Sequence, residues 1–292
     1  MTRTATDDGS RLRPLPLDGA ALPVRAGQVM HAGRRLGDLV TRRPEGITGH
    51  QWSSATREEF DHVVCAADTG RPLFAVVLGA PAPPGSARQR AERMRDAVCA
   101  AVDLPVLRIE SPTLRSAAHG PRIVGYVIDA RAYAGPSAGP DGDGYDSAVA
   151  FRDIVGRLPD GRTGPVNDLG ALTRAAAVDA YVSRRLADPI VRGLHVRWRD
   201  GAAEGWSWVE VRPGRCLVER VTVREHRFWC GVDAARLAED LAAVAVGERL
   251  RALDTDEPPL VDRAELRREI RGLRARRDEL VGGFAYDHLC VD

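Results

Sequence analysis

One acid in a strand-like run, Asp61 within Phe60-Asp61-His62-Val63-Val64-Cys65, and the arginines that follow it are the residues here most suited to chemistry. A carboxylate is a hard oxygen donor of the kind that holds Mg2+ or Mn2+, and guanidinium groups meet phosphate oxygens without reading sequence. The arginines are Arg71 in the turn after the run, then Arg88, Arg90, Arg93, Arg95 and finally Arg108. His62 is adjacent to Asp61, but neighbours in a strand point to opposite faces, so the two do not share a site. No Walker A or GxGxxG pattern occurs, and Gly79-Ala80-Pro81 is not a phosphate loop.

The elements that position these residues are legible from their periods. A β-rich run at 61–66, the turn Ala67 to Pro72 and an apolar run at 73–78 predict a hairpin whose second strand is buried on both faces. A Pro/Gly/Ser loop at 81–86 leads to a helix at about 87–102, with Met94, Val98 and Ala101 or Val102 at helical spacing and Arg88, Arg90, Arg93 and Arg95 on the charged side. A strand at 105–109 follows. Hairpin, helix and strand in that order predict the centre of an α/β sandwich.

That unit resembles a bacterial family of uncharacterised domains with the restriction-endonuclease-like, PD-(D/E)XK core, relatives of the very-short-patch repair endonucleases. Phe60-Asp61-His62-Val63 matches the family's first strand, and Arg71-Pro72-Leu73-Phe74-Ala75-Val76 matches the approach to its second. Asp96, Cys99 and Leu104 to Ile109 match the helix and the last strand. The departures concentrate where the metal would sit: Val77 stands at the family's Glu, Gly79 at its Asp, and Ala82, Pro83 and Pro84 in the region of its His. Arg95 replaces the expected Lys.

The resemblance implies a nuclease-like scaffold with Asp61 as a vestigial catalytic residue and no metal cofactor, kept as a nucleic-acid-binding or regulatory module. Arg71, Arg88, Arg90, Arg93, Arg95 and Arg108 either contact phosphates or form an ordinary solvated face in an Arg-rich chain. Phosphodiester hydrolysis needs an ion to neutralise charge and generate hydroxide, and a lone Asp61 supplies too little charge to hold one. Two alternatives stand beside this expectation. One is an active endonuclease that binds Mg2+ or Mn2+ through acids displaced to Glu92, Asp96 or Glu110. The other is a protein-interaction subunit pairing with an intact relative.

Composition narrows the choice. All 42 basic residues are Arg, so a mechanism that needs a Lys amine is excluded. With 41 acids the net charge is +1, and any attraction to nucleic acid must come from local patches. The five cysteines, Cys65, Cys99, Cys216, Cys230 and Cys290, have no CxxC or Cys/His ligand spacing; Cys65 in an apolar strand and Cys99 on a helix read as buried free thiols, which predicts a reducing compartment. The N-terminus is polar and Pro-rich without a secretory signal, and no run approaches the roughly 18 apolar residues of a membrane span. A cytoplasmic protein without membrane contact is expected.

The remaining chain predicts a second, smaller α+β domain. Residues 1–19 read as a loose lead-in, 20–133 as the nuclease-like domain with few structural signals before 60, and 134–146 as a Gly/Pro/Asp linker. Residues 147–256 hold an Ala-rich helix at 171–188, alternating strands around 194–199, 205–211 and 216–223, and a helix at 233–252. Trp198, Trp206, Trp208 and Trp229 cluster there, with core packing favoured over base stacking. Residues 257–292 carry an amphipathic helix at 262–280 and a tail. Leu266, Ile270, Leu273 and Leu280 make its apolar stripe, which suits either a protein partner or homodimer, or an ordinary helix laced with ion pairs.

Overall fold

Strand signals around Asp61 are the strongest in the chain, and the structure builds outward from them. The computed structural model describes residues 11–17, 21–25, 27–134, 153–157, 163–253, 255 and 258–286. It is a mixed α/β fold with a large mixed sheet of ten strands. Backbone contacts divide the chain into two compact units, Met1–Val77 with Pro81–Leu107 and His226–Phe228, and Leu78–Ala80 with Arg108–Glu225 and Trp229–Asp292. The expected linker lies, from residue 135 on, outside the described residues.

In the first unit β1 (Leu22–Arg25), β2 (Gln28–Arg35), β3 (Glu59–Ala66) and β4 (Pro72–Gly79, counted there up to Val77) pair in that order as an antiparallel meander. Two short helices, α1 (Leu36–Leu39) and α2 (Gly49–Ala55), connect β2 to β3. Thr48 starts α2 by accepting from Gln51 N, while Gln51 accepts from Thr48 N. Gly70 turns β3 into β4 at φ 69°, and an added Cβ there would lie 2.3 Å from Leu15 O, so only glycine lets the lead-in pass so close.

After β4 comes α3 (Ala87–Ala101), capped by Ser86, and then β5 (Val106–Glu110). The α3 side chains Val98 and Cys99 close an apolar cluster with Phe60, Val63, Cys65 and Ala75. Residues 20–59, expected to hold little structure, thus supply two strands and two helices. Their apolar positions are too scattered to show a period, and pairing with β3 orders them.

The second unit contains α4 (Pro112–Ser116), α5 (Gly120–Ala134), the hairpin β6 (Asp153–Arg157) and β7 (Thr163–Asp168), and α6 (Ala171–Val182). The sequence ran α6 on to 188, but Arg184 takes φ 60°, a left-handed conformation that ends a helix. Next come β8 (Arg192–Trp198), β9 (Ala202–Arg212) and β10 (Arg215–His226), antiparallel neighbours in sequence order. Then follow α7 (Ala234–Ala252), the short β11 (Val261–Asp262) on β10, α8 (Arg263–Ala275), a 3-10 turn at Arg277–Glu279 and β12 (Leu280–Tyr286).

The last segment departs from expectation in two ways. The described part of its tail forms a strand that the sequence reading did not place: β12 pairs antiparallel with β8, with Leu280 opposite Trp198 and Tyr286 opposite Leu194. Its apolar stripe is not available to a partner or homodimer. Leu266, Ile270, Leu273 and Leu280 are buried against Leu194, Val196, Trp206 and Trp208 of the chain's own sheet. Trp206 and Trp208 are core, because alternate positions of β9 share the face that α8 covers. Among the described residues no helix is long and apolar enough to cross a membrane.

Candidate functional site

Asp61 sits in β3 at a half-buried position, between buried Phe60 and half-buried His62. The β3–β4 ladder pairs His62 with Val76 and Val63 with Ala75, so one further register step sets Asp61 opposite Val77. The position expected to hold a carboxylate therefore does face Asp61. It is filled by an apolar side chain: Val77 packs against the cluster that contains Phe60, Val63, Val98 and Cys99. Gly79, two residues on, is buried and offers only backbone.

A divalent ion does not fit this place. It needs hard oxygen ligands, and an isopropyl group turned into a hydrophobic cluster supplies none. The acids considered as replacements are engaged otherwise: Glu92 pairs with Arg88 at 3.4 Å, and Asp96 lies 3.5 Å from Arg95 Nε. Glu110 falls in the second unit. Among the described residues no group of three or more His, Cys, Asp and Glu is arranged to hold a metal.

The arginines separate into distinct environments. Arg88, Arg90 and Arg93 are exposed on α3, with Arg90 Nη1 donating to Gly85 O at 3.0 Å, and Arg71 is exposed in the turn before β4. Arg95 does not belong with them. It is 2% exposed, its guanidinium lies 5.7 Å from the Phe60 ring centroid, and its Nε and Nη2 have no hydrogen-bond partner among the described residues. The cause is helical phase: 95, 98, 99 and 102 fall on one face, so a residue grouped by charge with Arg93 turns inward with Val98. Arg108 is half-buried between Leu107 and Ile109, and belongs to the second unit.

The comparisons were negative. No family model, curated protein or solved structure matches the chain.

His62 provides a pH test of the first unit. Burial lowers its pKa, opposed by the Asp61 charge, and its Nδ1 has no hydrogen-bond partner among the described residues. When the folded value lies below the unfolded one, the unfolded chain takes up the proton first as pH falls. The stabilisation is present above about 6.5 and is lost on acidification, levelling off below the folded pKa. Urea midpoints at pH 7.5 and 5.5 are expected to fall less for His62→Phe than for the parent. An equal fall in both proteins would place the titrating group elsewhere.

The second unit contains a buried pair that the sequence did not reveal. His195 Nδ1 lies 2.6 Å from Glu239 Oε2, and both residues are 8% exposed. Glycines make the approach possible: a Cβ on Gly193 would meet Glu239 Oε1 at 2.2 Å, and one on Gly205 would meet the Glu239 backbone N at 2.0 Å. Gly193 and Gly205 share the sheet face of His195, so α7 lies almost on the backbone of β8 and β9. Accepting from Nδ1–H, Glu239 orients the ring and fixes its tautomer.

The sequence signal for this pair is an acid on the buried side of α7, level with buried Ala235, Ala242 and Val246, facing strands that carry glycine. Cys65, Cys216 and Cys230 are poor nucleophiles. Burial pushes Cys65 and Cys216 up to about 11 and Cys230 well above its usual value.

Proposed function

We propose that this chain is a nucleic-acid-binding module on a degenerate restriction-endonuclease-like sandwich that has lost metal-dependent hydrolysis. The observation that carries the reading is Val77 packed into the apolar cluster at the position facing Asp61. The succession β3, β4, α3, β5 supports the nuclease-like ancestry. The exposed arginines of α3 support contact with phosphates.

Purified protein is expected to leave labelled DNA and RNA intact in Mg2+ or Mn2+ while shifting their fluorescence anisotropy in low salt. Cleavage that disappears in Asp61→Ala would overturn the loss of catalysis. Each phosphate neutralised contributes about −0.9 to the slope of log affinity against log salt for duplex DNA. The triple change Arg88→Ala, Arg90→Ala, Arg93→Ala is therefore expected to flatten that slope by as much as about 2.7. An unchanged slope removes α3 from the binding surface.

A further inference from the structure

The charges of α8 are sorted around its axis. Leu266, Ile270 and Leu273 fix the inward line. Arg263, Arg267, Arg271 and Arg274, spaced four, four and three residues apart, then fall on one flank, because these intervals approximate whole turns. Glu265 and Glu269, four apart, fall on the other. Glu269 is engaged by Arg220 of β10, which also covers the Trp206 ring at 3.9 Å. Arg268 lies opposite the apolar line, and among the described residues no acid of this helix pairs with one of its bases.

The basic flank is also open. Arg271 and Arg274 are exposed and Arg267 is half-buried, and none of the three guanidinium groups has an ion pair or hydrogen bond among the described residues. Arg263 meets Glu210 at 3.4 Å. At the start of the row a small cleft is lined by Arg192, Arg263 and Arg267 over a floor of Trp208, Leu266 and Ile270. Its acids are fewer than its bases: Glu210 lines it, and Arg192 is held by Asp188 at 2.6 Å.

From Arg263 to Arg274 the row runs about 16 Å at 1.5 Å per residue, the length of about five phosphates of one strand of a duplex. A line of guanidiniums, three of them unpaired among the described residues, suits a regularly spaced polyanion.

We infer that the Arg263–Arg267–Arg271–Arg274 flank of α8 is a track for the phosphodiester backbone of a nucleic acid, with the Arg192–Arg263–Arg267 cleft seating one phosphate at its end. This rests on the nucleic-acid-binding reading and assigns a surface in the second unit to it. Hydrolysis plays no part, and no base edge is read.

The test compares the full chain with Arg267→Glu/Arg271→Glu/Arg274→Glu, using fluorescein-labelled 20-mer DNA, single-stranded and duplex, from 50 to 200 mM salt. Affinity for duplex at 50 mM is expected to fall at least tenfold, and the salt slope to drop by about 2.7 for three lost contacts. The milder Arg→Gln set, with circular dichroism matching the parent, separates lost contacts from lost folding. If the Gln set binds like the parent while the α3 triple variant loses binding, this track is refuted and the proposed function stands. If the parent binds no polynucleotide, the proposed function fails and the track with it. Binding of the parent to phosphatidylserine vesicles but not to DNA or RNA would overturn the track in favour of a lipid surface.

Discussion

Gly205→Ala is expected to be among the most destabilising single-methyl changes in this chain, lowering stability by about 3 kcal/mol, the upper end for overpacking. The new Cβ would fall 2.0 Å from Glu239 N and 2.1 Å from Ala238 C, both backbone atoms of α7. A flexible side chain could swing aside, but a helix backbone moves only as a body. Displacing α7 also pulls Glu239 away from His195, and a buried carboxylate without its partner is costly.

Gly193→Ala meets the side chain of Glu239 instead, at 2.2 Å, and is expected to cost less. Thermal unfolding should show a drop of about 6–12 °C for Gly205→Ala, at roughly 2–4 °C per kcal/mol in a chain of this size. A Gly205→Ala protein melting with the parent would mean that α7 does not rest on β9 as described.

Glu204→Ala is expected to cost roughly 2–4 kcal/mol through two indoles at once, since an orphaned buried donor costs about 1–3. Glu204 Oε1 accepts from Trp206 Nε1 at 2.6 Å, and Oε2 accepts from Trp198 Nε1 at 2.8 Å. Arg220 covers the Trp206 ring and Arg276 the Trp198 ring at 3.9 and 4.3 Å. Glu204 therefore holds both platforms on which α8 and its following turn are fastened.

Glutamine keeps one acceptor oxygen but turns an amide donor towards the other indole, so Glu204→Gln should fall between the parent and Glu204→Ala. Denaturant unfolding followed by tryptophan emission gives the order directly. Equal midpoints for all three proteins would show that water replaces the carboxylate without loss.

Local pattern carried the sequence far where period and burial agree. Ala87–Ala101 and Ala234–Ala252 emerge within a residue or two of their apolar stripes, and β3 and β4 were legible as a hairpin. It failed where ordering comes from distant partners. The strands before Glu59 gain their structure from β3, and β12 contains Gly282 at φ 75° and a register shift that break its alternation.

The candidate site divides in the same way. Asp61, Val77 and Gly79 could be placed because they lie in one hairpin. Arg95 could not be assigned by charge, since its direction follows from the turn of α3. His195 and Glu239 are 44 residues apart, and nothing local to either announces the other.

The pairing of β12 with β8 also bears on the order of assembly during synthesis. Strand β8 has one neighbour as soon as β9 emerges, but its other edge waits until Leu280–Tyr286 leave the ribosome, about seventy residues later. Until then Leu194 and Val196 also lack the α8 side chains that bury them. A nascent chain stalled before residue 263 would carry an open strand edge beside bare tryptophans, a surface that invites pairing with other chains. Closing contacts so remote in sequence is slow, so the second unit should reach its final packing only after the last strand is made.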